Sequence, residues 1–555
     1  MVLGFSMPVI STSIFRRCPV QLFLLVLISS ATFFPHLGHR PADLMEARNF
    51  ITAREIVRNN NWLVPTLNGA PRIAKPPLPT WITAGVYRLT GQKDDNGLLR
   101  LPAALMGIGV VLALWGLVRC ITENDQLAFV CAAISATSFL ITEMGRNGSW
   151  DIYCQSFMLF AIWCLAAGWK REEKNYFLFL GAGVFMACSF MSKGPVAFYT
   201  LLLPFAVAYG IVFGAQPMAR KISPLLLAVM AAIILSSLWP LLIYLKMPQI
   251  FSATASTEAV SWFVRHRRPV YFYAHFPIYT GVWLFYVIAA IFFAFARERI
   301  RQVGNYRFII IWGAISLLLL TVVPEKKDRY LLPAMIPTAI LSGHLVYAQI
   351  IAASTLKLQK SDSILLYLQG GLTVLVVLAA TVIIFIFGFK NNLLSPAATL
   401  LWSGMLVVLA GASIFATAKK SIKGLFGLGV ALTIMVSLGG MPSLNVMLHL
   451  TYAPDVKTLR RARQIEAIQN LPFFAIEELS PKEIWDVGKM VRHWDVVNDP
   501  RPTNGSPLVF LASGAPDDAL PPDLKKLITI TDMGMFNYDP KNLSKFMHLA
   551  LIRFR

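Results

Sequence analysis

Apolar stretches long enough to cross a lipid bilayer dominate this chain and exclude an ordinary soluble fold. Hydrophobic residues make up 56% of its 555 residues and charged residues only 14%, and the mean hydropathy is +0.60. A soluble domain carries about 25% charged residues. A helix of about 20 apolar residues spans the roughly 30 Å hydrocarbon core of a bilayer. The sequence therefore predicts a polytopic α-helical membrane protein.

About thirteen spans are predicted when apolar stretches of roughly 18 or more residues are counted as helices. The first has no small-residue cleavage site after it, so it is expected to be a retained span rather than a signal peptide. The predicted spans cover residues 17–36, 99–120, 125–143, 150–169, 175–191, 195–215, 223–245, 275–296, 307–323, 330–352, 366–388, 398–416 and 422–440.

The orientation follows from the lysines and arginines of the connections, which concentrate on the cytoplasmic side of membrane proteins. This bias predicts a cytoplasmic N-terminus and, with an odd number of spans, a periplasmic C-terminus. It also accounts for much of the net charge of +21, so no nucleic-acid partner is expected. The six cysteines lie in or beside predicted spans without a CxxC pair or metal-ligand spacing, and no metal site is predicted.

Two domains are expected from the distribution of polar residues. Residues 1–445 would form the transmembrane domain, with a first outer loop at about residues 37–98. Residues 446–555 would form a small α/β domain outside the membrane, since β-like runs at 472–477, 508–512, 528–531 and 547–552 alternate with helix-like segments such as 481–491.

The first outer loop is predicted to contain amphipathic helices of its own. Asp43 can cap a helix over residues 44–59, and Asp43-Leu44-Met45-Glu46 fits a capping box, in which Glu46 binds a backbone N–H. Lys75-Pro76-Pro77-Leu78 then forces an extended approach to a short apolar segment at 81–89, which is too short to cross the bilayer.

Cations recur in the predicted outer loops, where short loops of membrane proteins are normally poor in lysine and arginine. Charge and hydrogen-bond geometry suit such cations to the phosphate of a lipid carrier or a lipid acceptor. Contact with lipid head groups or solvation is the alternative for any single residue. The outer cations are Lys75, Lys193, Arg265, Arg267, Arg268, Lys326, Lys327 and Arg329.

Two carboxylates on the same predicted face are candidate catalytic groups. Glu46 lies near the start of the first loop helix, and Asp151 lies at the outer start of the fourth span. A pair of this kind can serve as general base and substrate anchor in transfer chemistry. The alternatives are the capping box for Glu46 and a favourable interaction with the helix dipole for Asp151.

Motifs in the first loop resemble those of a known family. The segments follow one another in order over more than thirty residues, and they resemble the first periplasmic loop of bacterial aminoarabinose (4-amino-4-deoxy-L-arabinose) lipid A transferases, which belong with protein O-mannosyltransferase-like GT-C glycosyltransferases. The matching segments are Glu46-Ala47-Arg48, Ala53-Arg54-Glu55-Ile56, Asn61-Trp62-Leu63-Val64-Pro65, Leu67-Asn68-Gly69 and Lys75-Pro76-Pro77-Leu78.

The resemblance continues further along the chain and covers about residues 20–350 well. Asp151 resembles the family's second-loop aspartate, and Ser192-Lys193-Gly194 resembles its threonine-lysine-glycine turn. Lys326 to Tyr330, followed by Leu331-Leu332-Pro333, resembles its lysine…tyrosine-x-leucine-proline segment, and Arg268 to Tyr273 resembles its aromatic loop. The family has thirteen spans with an outer α/β domain, which is the fold that the resemblance implies here.

One departure concerns the family's acidic pair. Members usually carry aspartate-glutamate where this chain has Met45-Glu46, and a second family acid is Ile51 here. The resemblance implies that Glu46, one place later, and Asp151 act in catalysis. It implies that substrate and phosphate binding fall to Arg48, Lys75, Lys193, Lys326, Arg329 and Tyr330.

The function that the resemblance implies is inverting transfer of a sugar from a polyprenyl (undecaprenyl) phosphate carrier. The acceptor would be lipid A or another envelope glycan on the periplasmic face of the bacterial inner membrane, among membrane lipids. No cofactor is specified, and a divalent metal is compatible with the family. A lipid or ion transporter and a non-catalytic polyprenyl-phosphate binding protein are the alternative functions, the second because of Met45.

Overall fold

The computed structural model describes residues 18–264, 267–355, 358–452, 454 and 456–555. The chain is mostly helical, with a small mixed sheet near its C-terminal end. The α-helices of the first half are α1 (Cys18–Phe33), α2 (Leu44–Arg58), α3 (Leu78–Leu89), α4 (Asn96–Thr122), α5 (Asp125–Thr137), α6 (Phe139–Gly145), α7 (Asp151–Lys170), α8 (Tyr176–Lys193), α9 (Leu203–Phe213), α10 (Gln216–Arg220), α11 (Ile222–Lys246) and α12 (Pro248–Val264).

The last three α-helices of the second half are short and lie in the sheet region. They are α13 (Leu284–Phe292), α14 (Ala294–Arg301), α15 (Tyr306–Val322), α16 (Leu332–Thr355), α17 (Lys360–Ile383), α18 (Pro396–Ala418), α19 (Ile422–Met435), α20 (Met441–Met447), α21 (Pro481–Val487), α22 (Pro516–Ala519) and α23 (Pro522–Leu527).

Every predicted span coincides with a helical segment of the described chain. Nine helices there are long and apolar enough to cross a membrane, and α5 with α6 forms a further candidate that is bent by 66°. The segments Cys18–Phe33, Phe198–Phe213 and Tyr306–Val322 are apolar but shorter. The protein is a polytopic helical membrane protein, and the count of thirteen spans stays a prediction.

The helical bundle has a buried centre and an apolar outer surface. The segment Asp328–Ser354 is buried inside the bundle along its whole apolar stretch, whereas α11 and the segment Lys360–Phe389 are only 22% buried. Helices α11 and α18 expose leucine, isoleucine and valine side chains. An exposed apolar surface of this extent is unfavourable in water and matches contact with lipid acyl chains.

The C-terminal segment contains a five-stranded mixed sheet in the order β4-β3-β5-β7-β6. Strands β3 and β4 are parallel, as are β3 and β5, while β7 is antiparallel to both β5 and β6. Upstream, β1 (Thr66–Leu67) and β2 (Ala70–Pro71) form a small hairpin in the first loop. The strands of the mixed sheet are β3 (Phe473–Ala475), β4 (Val491–His493), β5 (Leu508–Ala512), β6 (Ile528–Asn537) and β7 (Phe546–Phe554).

The predicted helix over residues 481–491 was wrong at its end. Helix α21 stops at Val487 because Gly488 adopts a left-handed conformation, with φ of 83°, which glycine reaches without a steric penalty. The chain then turns, and Val491 begins β4 instead of ending a helix. The boundary between the two expected domains at residues 445 and 446 stays a prediction.

The first loop and the C-terminal segment share one hydrophobic core. The guanidinium groups of Arg54 and Arg463 both lie over the Trp485 indole, at 5.2 and 5.3 Å from the ring centroid. Its N–H donates to Asn96 Oδ1 at 2.8 Å. Both arginines also bind Asp94, at 3.1 and 3.2 Å. The end of the chain therefore supports the loop that carries the predicted site.

Candidate active site

Helix α2 is the element that brings the first loop to the candidate site. Asp43 caps it by accepting hydrogen bonds from the backbone N–H groups of Met45 and Glu46, at 2.7 and 2.9 Å. Its side chains then face different surroundings. Met45 and Arg48 line a cavity, and Ile51 is buried in the core shared with the C-terminal segment.

Glu46, in the first turn of α2, is buried and does not line the cavity. Its Oε2 accepts a hydrogen bond from the Asp43 N–H at 3.0 Å, which completes the capping box. The guanidinium of Arg100 donates to both carboxylate oxygens at 2.6 and 2.8 Å, and the Gly148 N–H donates to Oε1 at 2.7 Å. The geometry matches the capping-box alternative, and the catalytic role predicted for Glu46 stays untested.

The protonation of Glu46 follows from these contacts. Burial acts to raise the pKa of its carboxyl group, but the charge and hydrogen bonds of Arg100 and the two backbone N–H groups lower that pKa below its usual range. Burial and the neighbouring Glu46 charge raise the pKa of Asp43. Glu46 is thus held as an ionised partner of Arg100.

The cavity has a volume of about 260 Å³ and lies where α2, α8, α12 and α15 end or meet. Its floor and walls combine apolar side chains with aromatic rings, including Trp150, Tyr199, Tyr273 and Tyr330. Among the described lining residues, five cations face two carboxylates. The cations are Arg48, Lys75, Lys193, Lys327 and Arg329, and the carboxylates are Glu258 and Glu325.

Asp151 stands directly behind two of these cations. Lys193 Nζ donates to its Oδ1, and Arg329 Nε lies 3.7 Å from its Oδ2. The ammonium of Lys193 also lies 4.5 Å from the centroid of the Tyr330 ring. Asp151 occupies the first turn of α7, so it holds Lys193 and Arg329 at the cavity wall while also meeting the positive end of the helix dipole.

The two lining carboxylates form separate ion pairs. Glu258 of α12 accepts from Lys75 Nζ at 2.5 Å. Glu325 accepts from Lys327 Nζ at 2.7 Å and from the Tyr330 hydroxyl at 3.3 Å. The lysine of the first loop is thus joined to α12, which lies about 180 residues further along the chain.

The structure does not bring Lys326 to the cavity. Its side chain is buried, and its ammonium donates to the carbonyl oxygens of Val323 and Arg268 at 2.9 and 3.4 Å. The next residue, Lys327, lines the cavity instead. Arg268 is exposed, and the predicted outer cation Arg265 lies outside the described residues.

Five of the eight residues predicted for the site line the cavity: Arg48, Lys75, Lys193, Arg329 and Tyr330. Sequence reasoning missed Glu258, Glu325, Tyr199 and Trp150. One signal could have identified Glu258, because it is the sole charged residue between positions 248 and 264 of a predicted outer loop. In the chain that the structure describes, no three histidine, cysteine or acidic residues are close enough to hold a metal ion together.

The cavity is also positive beyond its lining. The guanidinium of Arg72 lies 4.8 Å from the centroid of the Trp150 ring. Burial, helped by the nearby Arg48 charge, lowers the pKa of Arg72 to about 10. Among the described residues, the buried indole N–H of Trp150 has no hydrogen-bond partner, which is unusual for a buried donor.

Comparisons with known proteins agree with this architecture. Residues 74–244 match the family model described as dolichyl-phosphate-mannose-protein mannosyltransferase. The chain is 24% identical over 395 residues to the undecaprenyl phosphate-alpha-4-amino-4-deoxy-L-arabinose arabinosyl transferase of Photorhabdus laumondii, covering 70% of this chain and 69% of that one. It is 25% identical to the enzyme of the same name from Shewanella sediminis, covering 53% of this chain and only 54% of that one.

The fold is shared with a solved structure over almost the whole chain. ArnT from Cupriavidus metallidurans, bound to undecaprenyl phosphate, superposes with a TM-score of 0.68 at 14% identity and covers 97% of this chain and 98% of that one. The first-loop motifs, the family match over residues 74–244 and this fold agree with one another. In sequence and in fold, the chain is similar to the aminoarabinose transferase-like GT-C membrane glycosyltransferases.

Proposed function

We propose that this protein transfers a sugar from a polyprenyl phosphate, such as undecaprenyl phosphate, to an acceptor of the bacterial cell envelope. The observation that carries the proposal is the cavity at the end of the helical bundle, where five cations converge beside apolar and aromatic side chains. Phosphate oxygens match the cations, and the polyprenyl chain matches the apolar surface of a membrane-embedded bundle.

The cations have a chemical role in this reaction. When the bond between the anomeric carbon and the phosphate oxygen breaks, the phosphodiester becomes a monoester with additional negative charge. Lys75, Lys193 and Arg329 line the cavity in which that charge would develop, and fixed cations in a partly dry site stabilise it without having to reorganise. Attack by the acceptor from the opposite side of the sugar inverts the anomeric carbon.

The sugar has suitable neighbours in the same cavity. Trp150, Tyr199 and Tyr273 offer aromatic surface, and a few placed polar groups among such surface are typical of small-molecule sites. In this proposal Arg48 and Tyr330 also contact the donor. Asp151 orients Lys193 and Arg329. Glu46 and Lys326 support the surrounding backbone.

The related proteins support the proposed transfer from a polyprenyl phosphate. Two of them are named as transferases that use undecaprenyl phosphate aminoarabinose, and the Cupriavidus protein was solved with undecaprenyl phosphate. For this chain, a lipid A-like or other envelope acceptor on the periplasmic face of the inner membrane is part of the proposal. So is the transfer of either a pentose or a hexose.

Mass spectrometry of envelope lipids and glycans from cells with and without the gene tests the function. We expect deletion to remove a pentose or hexose increment from at least one species, and the wild-type gene to restore it. Unchanged lipids and glycans would contradict the proposal. Altered uptake of a solute without any glycan change would instead favour a transporter.

The role of the cations can be tested separately by the binding of undecaprenyl phosphate to the purified protein. Lys75→Met removes a cation from the cavity wall and is expected to weaken binding about tenfold, as the loss of one charge-assisted hydrogen bond does. Lys93→Met is the matched control, because Lys93 belongs to the same loop but is exposed and does not line the cavity. Equal affinity of both variants and the wild type would argue against phosphate recognition by Lys75.

A non-catalytic polyprenyl-phosphate binding protein is the second candidate function. It is favoured by Met45, which contributes a thioether to the cavity wall and cannot accept a proton from an acceptor. Binding of undecaprenyl phosphate by the purified protein, together with unchanged envelope glycans after deletion, would establish this function instead.

A further inference from the structure

The cavity contains two carboxylates among its described lining residues, and their surroundings differ. Glu325 accepts hydrogen bonds from Lys327 and Tyr330, and its side chain is 15% exposed. Glu258 is 30% exposed and accepts from Lys75 at 2.5 Å. Glu258 is therefore the carboxylate that remains more open to a molecule entering the cavity.

Helix α12 presents Glu258 toward the cavity from an otherwise uncharged element. Its inward positions, Phe251, Thr254, Glu258 and Ser261, recur at intervals of three or four residues and are less exposed than their neighbours. This spacing places them on one face of the helix. No other residue from 248 to 264 carries a charge. A neutral side chain would suffice to cover the cavity, and partial burial of a carboxylate has a desolvation cost.

We propose, on the basis of the glycosyl transfer proposed above, that Glu258 is the general base of this protein. Its carboxylate accepts the proton of an acceptor hydroxyl group as the hydroxyl oxygen attacks the anomeric carbon of the sugar. The acceptor then reacts through a hydroxyl group, because an acceptor that is already ionised, such as a phosphate, needs no proton acceptor.

The atoms and electrons of this step balance. A bond forms between the acceptor oxygen and the anomeric carbon, and the bond from that carbon to the phosphate oxygen breaks with its electron pair on the phosphate. The hydroxyl proton moves to Glu258. The phosphodiester, with one negative charge, leaves as a phosphomonoester dianion beside the cations of the cavity.

In this proposal Lys75 contacts both the donor phosphate and the general base. Its ammonium has three N–H donors, so it can hold the donor phosphate while it stays bonded to Glu258. The contact between Lys75 and Glu258 thereby fixes the position of the base relative to the phosphate. The competing explanation is purely structural: the ion pair would only hold α12 against the first loop.

Substitutions at position 258 separate these explanations, with transfer measured in detergent-permeabilised membranes that contain the native donor and acceptor. Glu258→Gln keeps the size of the side chain but cannot take a proton, and its transfer rate is expected to fall about 100-fold or more. Its affinity for undecaprenyl phosphate is expected to stay within about twofold, since no cation is lost. Thr257→Ala, an exposed neighbour on α12, is the control and should transfer at the wild-type rate.

A second-site carboxylate provides an independent test. Met45 lines the same cavity, so Met45→Asp in the Glu258→Gln background should restore the rate at least about tenfold, whereas Met45→Leu should not. Wild-type transfer by Glu258→Gln would overturn the inference. So would a parallel loss of transfer and of undecaprenyl phosphate binding, which is the result expected of a structural ion pair. Absence of transfer by the wild-type protein would refute the proposed function itself.

Discussion

Met45 and Glu46 show how strongly one step along a helix changes the surroundings of a side chain. Successive residues of an α-helix differ in direction by about 100°. Met45 faces the cavity, while Glu46 is enclosed by Arg100, Asp43 and Gly148. A carboxylate moved by one place therefore does not reach the cavity through a longer side chain, and it acquires a structural partner instead.

Replacement of Glu46 tests that assignment. Glu46→Gln leaves the guanidinium of Arg100 buried without its counter-charge, and breaking a buried ion pair in this way typically costs about 3–5 kcal/mol of unfolding free energy. We expect a loss of about 3 kcal/mol or more in denaturant titrations of the detergent-solubilised protein. The matched control is Glu143→Gln, which breaks the more exposed pair with Arg40 and should cost about 1 kcal/mol or less.

The stability that the ion pair between Glu46 and Arg100 contributes depends on pH. The pKa of Glu46 is lowered from the ordinary value of 4.5, so its stabilising contribution is complete above pH 4.5 and is lost as the pH falls through the lower, folded-state value. Glu46→Gln should lack this acid-dependent loss. A normally stable variant that has lost sugar transfer would show instead that Glu46 acts in catalysis, as the sequence predicted.

At the scale of secondary-structure elements, the sequence predicted the features that depend on local residue patterns. Asp43 was recognised as the cap of α2, and the apolar runs became helices, because capping and hydropathy depend on neighbours in sequence. Helix α12 was not predicted. It has no long apolar run, and its position depends on the contact between Glu258 and Lys75, which are distant in sequence.

Helix α21 offers a prediction of pH dependence. Burial raises the pKa of Asp486 from 3.8 to about 6, although Arg463, Arg460 and Lys482 act to lower it. The folded protein then holds an extra proton between about pH 4 and pH 6, so stability rises as the pH falls through that window. Above pH 6 the ionised, buried carboxylate reduces the unfolding free energy by about 3 kcal/mol.

Asp486→Asn should remove this cost. Thermal unfolding of the solubilised protein at pH 7.5 is expected to show a stabilisation of about 2–3 kcal/mol, with a smaller gain at pH 5. Asp523→Asn is the control, because Asp523 is exposed at the start of α23, and it should leave stability unchanged at both values. Destabilisation by Asp486→Asn at pH 7.5 would mean that the arginines keep the carboxylate ionised and favourable.

At the scale of the whole molecule, the spans depend on local composition, whereas the candidate site depends on tertiary packing. Composition alone identifies apolar helices, so a list of spans can be read from the chain. The cavity instead joins positions from residue 44 to residue 330, and only tertiary packing decides that Lys327 reaches it while Lys326 does not. The first-loop motifs pointed to residues near the cavity, and the structure shows which residues line it.

The orientation of the molecule in the membrane is a testable prediction. The C-terminal sheet and the cavity are expected outside, and the connection after α7 is expected in the cytoplasm. A cysteine placed at Asn498 should react with a membrane-impermeant maleimide in intact spheroplasts, whereas one placed at Glu172 should react only after permeabilisation. Both positions are exposed, and the unmodified chain is the blank. The reverse labelling pattern would put the proposed site on the cytoplasmic side.

The contact of Trp485 with Arg54 and Arg463 has a consequence for biosynthesis. The first loop emerges from the ribosome early, but part of the core that supports α2 comes from residues 459–549, which are synthesised much later. The packing around the first loop is therefore completed only after the C-terminal sheet region has been synthesised. A chain released early by a premature stop codon would insert into the membrane, yet it would lack the packing that holds Arg48 and Met45 at the cavity.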